Sequence, residues 1–289
     1  AGDQKGRYYI CCNIGNISFG SGVSIVETVV EITDLTYLYP TGNKALDNLN
    51  LSVLQGERVA VVGPNGAGKS TLILHLNGIL NGAGQIKVMG IGMEKGNLPK
   101  IRQKVGIVFQ DPDHQLFSPT VFDDVAFGPI NMGLSEEDVN KRVSEALEKV
   151  GLAGFEERLP HRMSFGEKRR VCIASVLSMS PEILVLDEPS SSLDPRSRRE
   201  LINLLNSFKI TQIIATHDLE MALELCKRVV VMDKGTVVAD GDIKGILGKE
   251  DLMLRHGLEV PHSIRFTHFH THDHDEKREE HCHAHCHPH

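Results

Sequence analysis

No stretch of this sequence is apolar for long enough to cross a bilayer, which takes about 20 largely apolar residues. The longest uncharged stretch, Tyr8 to Val26, is interrupted by Asn13, Asn16, Ser18, Ser21, Ser24 and three glycines. It is too polar to insert, and no basic region followed by a compact apolar block marks a signal peptide. If the protein works at a membrane, another subunit must hold it there. Cysteine is scarce as well. Of the six, Cys11 and Cys12 stand at one end and Cys282 and Cys286 at the other, which is no secreted disulfide framework. Cys172 and Cys226 fall inside apolar helical patterns and are expected to be buried thiols. A basic excess is also missing: the net charge is −7, so nucleic acid is not the expected partner, because backbone binding needs a basic surface.

What is present suits a globular chain. Hydrophobic residues make up 40% and charged residues 24% of 289 positions, enough for one large domain or two modest ones with ample core. Residues 1–28 show no clear period and no initiating Met, and are expected to lie outside the fold. From Val29, VVEITDLTYLY and LNLSVL alternate as strands do, and ERVAVVG (57–63) is a β-branched run ending in glycine. KSTLILHLNGIL (69–80) reads as a helix, followed by strands at 85–90 and 104–110. An insert of about 111–180 is mostly helical; within it Ser135 caps a helix with an acidic first turn and a glycine stop. Strands at 182–188, 211–217 and 228–233 then alternate with helices starting at Pro195 and Asp218, and a short hairpin follows. This order predicts an α/β fold with a mostly parallel sheet, spanning 29–260. After Pro261 charge and histidine replace apolar periodicity, and 261–289 is expected to be a disordered tail.

Two motifs carry chemistry. Gly63-Pro64-Asn65-Gly66-Ala67-Gly68-Lys69-Ser70 fits the phosphate-loop pattern between a strand and a helix. Its glycines let backbone N–H groups face phosphate oxygens, and the helix N-terminus adds positive potential. Lys69 would reach the β- and γ-phosphates, Ser70 would hold Mg²⁺ and Thr71 would add a phosphate contact. In ILVLDE, Asp187 ends a buried strand where it can orient Mg²⁺, and Glu188 is placed to take a proton from attacking water. Together they describe a P-loop ATPase.

Between and after these motifs stand Gln110 at a strand end, MSFGEKRR (163–170), SSLD (191–194) and His217. That ordered set resembles the ATP-binding cassette family, over Val29 to about Val260. The resemblance implies a P-loop core with an N-terminal antiparallel β subdomain and an inserted helical subdomain. It implies that Tyr39, or else Tyr37, stacks on adenine, and that Gln110 touches Mg²⁺ or water. Ser164 and Gly166 would bind the γ-phosphate of ATP held by a second ATPase copy, a homodimer being favoured. Asp194 would couple the two sites and His217 would contact the γ-phosphate. Phe165 stands where the family's signature usually has glycine, which is expected to cost backbone freedom and close approach to phosphate. The segments 109–134 and 36–53 resemble ATPases of energy-coupling-factor importers. Such ATPases sit on the cytoplasmic face of the cell membrane, as peripheral subunits of a transmembrane scaffold and a substrate-capture subunit.

The chain ends in an unusual composition. Ten of the fifteen histidines lie from His262 onward. They form one cluster at His268, His270, His272 and His274, and a second at His281, Cys282, His283, His285, Cys286, His287 and His289. In an extended chain alternate side chains share one side, so the imidazoles of the second cluster would face together. Imidazole suits Ni²⁺ and Co²⁺ among other ions. Cobalt and nickel are among the cargoes of the importers this sequence resembles, and the tail would buffer or sense the imported ion. A vitamin-type importer with an incidental metal-sequestering tail is the alternative, and a solvated tail or cloning remnant the plain one.

Overall fold

The computed structural model describes residues 27–269, with side chains to 265. The first half runs β1 (Thr28–Leu38), β2 (Lys44–Leu54), β3 (Arg58–Val62), α1 (Lys69–Leu76), β4 (Ala83–Val88), β5 (Ile91–Gly92), α2 (Leu98–Lys104) and β6 (Val105–Val108). Three helices follow: α3 (Val121–Asn131), α4 (Glu136–Lys149) and α5 (Phe165–Leu177). The rest is β7 (Ile183–Asp187), α6 (Pro195–Ser207), β8 (Thr211–Thr216), α7 (Leu219–Leu225), β9 (Arg228–Asp233), β10 (Thr236–Asp242), α8 (Ile243–Leu247), α9 (Glu250–Arg255) and α10 (His262–Phe269).

Two sheets result. One is antiparallel, in the order β2-β1-β4-β5; the other is ordered β10-β9-β3-β8-β7-β6 and is parallel except for the β9–β10 hairpin. Strand alternation divides the interior. Val59, Val61, Ile183 and Val185 face one core with the antiparallel sheet, while Ala60, Val62, Leu184 and Leu186 face the other with α3, α4 and α5. The helical insert leaves the sheet at the carboxyl end of β6, and α5 brings the chain back to the amino end of the neighbouring parallel strand β7. Among the described residues no helix is long and apolar enough to cross a membrane.

Helix starts follow their caps. Ser135 accepts the Asp138 N–H ahead of α4, and Asp194 accepts from Arg196 and Ser197 ahead of α6. Several expected boundaries shift for local reasons. α1 ends at Leu76 rather than 80, because Gly78 turns left-handed (φ 69°) and the N–H groups of Ile79 and Leu80 both return to Leu74 O. The strand expected at 85–90 lies at 83–88, since Met89 and Gly90, both at positive φ, turn the chain into β5. The short helix α2 has no counterpart in the sequence pattern; Pro99 sits in its first turn, where the missing N–H costs nothing. Order also runs past the expected boundary at 260. α10 is tied down by Ser263, whose N–H and hydroxyl both donate to the Glu220 carboxylate (3.2 and 2.6 Å). Residues 1–26 and 270–289 lie outside the described residues.

Cys172 and Cys226 are buried and unpaired, and burial pushes both thiols up to about 12. The thiolate is the reactive form. At pH 8 both cysteines should therefore stay unalkylated by iodoacetamide in the native protein and react once it is unfolded, as read by peptide mapping.

Candidate functional site

The loop after β3 is shaped by close approach. Gly68 has φ 102°, and a Cβ there would lie 2.5 Å from the carbonyl oxygen of Ala45, so only glycine closes this turn. α1 then begins at Lys69 with its first N–H groups facing the loop. The Lys69 side chain is buried and folds back on the loop it belongs to. Its Nζ donates to Gly63 O at 2.8 Å and to Pro64 O at 3.2 Å, and stands 3.8 Å from Glu188 Oε1. Burial lowers its affinity for a proton, while Glu188 and Asp187 pull the other way.

Those two carboxylates come from the end of β7. Asp187 is buried beside Ala215 of β8, and burial raises its pKa against the donation of the Ser70 hydroxyl. Its Oδ1 has no hydrogen-bond partner, an orphaned buried acceptor. An oxygen-seeking divalent cation such as Mg²⁺ would satisfy it, and the donor set fits that ion. Glu188 sits just past the strand at φ 44°, a strained conformation for a residue with a side chain. What holds it there is a set of donors on one oxygen. Oε2 accepts from Thr216 Oγ1 (3.2 Å), the His217 backbone N–H (3.1 Å) and His217 Nδ1 (2.8 Å). Oε1 has no such donors and faces Lys69. A carboxylate clamped through one oxygen and open at the other is arranged to receive a proton from water beside a bound phosphate.

Tyr39, Gln110, Glu188 and His217 line one cleft with Asn65 through Thr71. Gly63 and Pro64 contribute through the carbonyls that hold Lys69. Tyr39 lines the cleft with its hydroxyl 3.1 Å from Thr71 Oγ1. Gln110 is exposed, but its backbone is gripped. Arg169, 1% exposed on α5, donates to Phe109 O and Gln110 O, each at 2.5 Å. Ser164, Gly166 and Ser197 line a separate small cleft, with Asp194 at its edge through its bond to Ser197 Oγ (2.6 Å). The chain thus brings the phosphate loop, Asp187, Glu188, Gln110 and His217 together and keeps Ser164, Gly166 and Asp194 apart from them.

The expectation that Phe165 strains the backbone is corrected. Phe165 is the first residue of α5 and has no positive φ. Its ring lies 5.4 Å from the Arg169 guanidinium, so it packs against the group that holds the Gln110 segment. The close approach belongs to Gly166, where a Cβ would stand 2.9 Å from Ser197 Oγ. Ser164 caps α5 in a reciprocal box with Glu167, and those bonds hold the Glu167 carboxyl below its usual range. The histidines and cysteines from His270 onward, and the side chain of His268, lie outside the described residues.

Three residues of the site are absent from the sequence reading. Arg169 carries a weak signal, an arginine on the inward face of an apolar helix. Thr216 and Asp218 flank His217; Asp218 is held by Arg198 through two bonds, at 2.7 and 3.0 Å. Thr216→Val keeps the shape and removes one donor from the Glu188 carboxylate. A hydrogen bond to a charged group contributes about 1.5–3 kcal/mol. ATP turnover should fall about tenfold, matching the lower end of that range, with the Kd for ATP within about twofold in calorimetry.

Comparison with known proteins agrees with this geometry. The family model described as ABC transporter matches residues 46–191. A putative ABC transporter ATP-binding protein of Geobacter sulfurreducens is 52% identical over 238 residues, covering 82% of this chain and 96% of the relative. The energy-coupling factor transporter ATP-binding protein EcfA of Methanothermobacter thermautotrophicus is 51% identical over 241 residues, covering 81% and 78%. Among solved structures, cbiO1 of Clostridium perfringens, described as part of the ABC transporter complex cbiONQ, superposes with TM-score 0.71 at 38% identity, covering 83% and 99%. The dimeric ATP-binding cassette MJ0796 bound to ADP and Pi gives TM-score 0.67 at 28% identity, covering 74% and 98%. With the phosphate loop, the paired carboxylates and the helical insert all in place, the chain belongs to the ABC transporter family as an ATP-hydrolysing subunit, its hydrolysis coupled to transport.

Proposed function

We propose that this ATPase drives an energy-coupling-factor type importer for cobalt or nickel ions. It would act at the cytoplasmic face of the membrane on a transmembrane scaffold and a substrate-capture subunit. The observation that carries the scaffold contact is an apolar surface beside Gln110. Phe117 and Phe127, 67% and 51% exposed, meet edge to face at 5.0 Å, and Ile130 is 59% exposed on the same helix as Phe127. They border a groove that runs from Phe109 to Met179. Apolar side chains held out in solvent and joined to the segment that carries Gln110 suit a membrane subunit that reads nucleotide state. The likeness to EcfA and to cbiO1 supports this importer type, and the histidine-rich segment after α10 supports a metal cargo.

The catalytic roles follow the geometry. In this reading Lys69 and the loop N–H groups bind the β- and γ-phosphates, and Ser70, Asp187 and Gln110 hold Mg²⁺, which neutralises phosphate charge when bound. Glu188 takes the proton of the attacking water, oriented by Thr216 and His217. Because Ser164 and Gly166 stand apart from their own chain's cradle, each cradle would be closed by the α5 tip of a second copy, with Asp194 at that junction. Tyr39 would carry the adenine. Ni²⁺ or Co²⁺ at His268, His270, His272, His274 and the cluster 281–289 would be held on the side where imported ions arrive.

Glu188→Gln keeps the shape and cannot take up a proton. It should lower turnover by about 10²–10⁴-fold, leave the chain as an ATP-bound dimer on size exclusion, and abolish uptake of radiolabelled Ni²⁺ or Co²⁺ in cells that also express the membrane subunits. Uptake at the unmutated level in E188Q would overturn the assignment. Vitamin uptake lost in E188Q with metal uptake unchanged would leave the importer and replace its cargo.

A further inference from the structure

Four residues, two of which line the nucleotide cleft, form a closed circuit. Tyr39 follows β1 and is turned inward by a tight turn, its N–H donating to Asn43 O (2.9 Å) and its carbonyl accepting from Gly42 (2.8 Å). Its hydroxyl meets Thr71 Oγ1 at 3.1 Å. Thr71 O accepts from His75 Nδ1 at 2.7 Å, the two residues lying four apart on one face of α1. The His75 ring meets Tyr37 edge to face at 4.8 Å, and Tyr37 meets Tyr39 in the same manner at 5.0 Å. Every member touches the next, and the last touches the first.

His75 is the unexpected member. It is fully buried, and burial lowers its affinity for a proton, so the ring is neutral with Nδ1–H as the donor. Its Nε2 has no partner, a cost that leucine at this core position would avoid. The bond to Thr71 O fixes the plane of the imidazole, and that plane fixes the edge-to-face contact with Tyr37. A leucine would fill the space without fixing a direction.

The geometry points to Tyr37 and His75 as positioning residues that brace Tyr39, holding the base platform at a set distance from the phosphate cradle through the Tyr39–Thr71 contact. The inference rests on the reading of Tyr39 as the adenine platform. It concerns how the platform is held, and it separates base recognition from phosphate recognition. Inorganic tripolyphosphate engages the cradle alone, whereas ATP engages both.

The test compares Kd values for ATP and for inorganic tripolyphosphate, each with Mg²⁺, by calorimetry on the full chain. Tyr39→Ala should weaken ATP binding by about tenfold, in the range of one lost base–aromatic stack. Tyr37→Leu and His75→Leu should each weaken ATP binding by about three- to tenfold, the loss of part of that stack. Tripolyphosphate binding should stay within about twofold throughout, since no residue of the cradle itself is replaced and its backbone N–H groups remain. Tyr37→Leu added to Tyr39→Ala should cost less than about twofold more, because a brace without a platform has no effect on the base. Equal weakening of ATP and tripolyphosphate by Tyr37→Leu would make the circuit merely structural and overturn the proposal. So would an undiminished Tyr37→Leu effect in the Tyr39→Ala background, which would place Tyr37 itself on the base, and so would unchanged ATP binding in Tyr37→Leu. If His75→Leu does not fold, the Tyr37 variants decide. Unchanged ATP binding in Tyr39→Ala would instead remove the platform reading itself.

Discussion

Burying one ammonium and two carboxylates at the carboxyl edge of a parallel sheet is the constraint from which the rest of this structure follows. Removed from water, each of these charges is costly unless partners surround it. Lys69 meets that cost with the carbonyls of Gly63 and Pro64 and with Glu188 nearby. Those carbonyls are available only because the loop wraps tightly around the side chain, and the wrapping depends on a glycine at 68. Glu188 meets the cost with three donors on one oxygen, at the expense of an unfavourable backbone angle. Asp187 leaves one oxygen unpartnered. A polyphosphate chelated to a divalent cation would supply what this set lacks, anionic oxygens for Lys69 and a cation for Asp187.

The same constraint explains why the helical insert is attached where it is. It starts beside Gln110 and returns to β7, the strand that carries Asp187. Arg169 locks the two ends of that excursion together by holding the carbonyls of Phe109 and Gln110 from α5. Removing the buried guanidinium would leave two partly buried carbonyls without these charged donors. Ser164 caps the same helix. The Gln110 segment and the helix that Ser164 caps are thus joined through one buried side chain, and the exposed Phe117–Phe127 pair follows Gln110 along the chain.

The features legible in the sequence are those decided by neighbours along the chain. β-branched runs mark β3, β7, β8 and β9, and Ser135 and Pro195 mark the starts of α4 and α6. The phosphate loop reads directly from spacing, because backbone N–H groups must be exposed by glycine at fixed positions. Features decided across space are not legible. Arg169 meets partners some 60 residues away, and nothing local marks that a charged side chain turns inward. Phe165, taken from the motif alone, suggests a need for a left-handed backbone, whereas helix capping by Ser164 gives it an ordinary one and moves the need for glycine to 166. The ordered chain outlasts its apolar periodicity, because the Ser263–Glu220 bonds that hold α10 join segments 43 residues apart.

The measurement that bears most directly on the buried-charge account is the Mg²⁺ dependence of ATP binding, followed by calorimetry in the natural sequence and in D187N. The account predicts that ATP affinity rises with Mg²⁺ in the former and loses most of that dependence in the latter, since a carboxamide at this position would offer no charge where the orphaned oxygen stands. An equal Mg²⁺ dependence in both would contradict it.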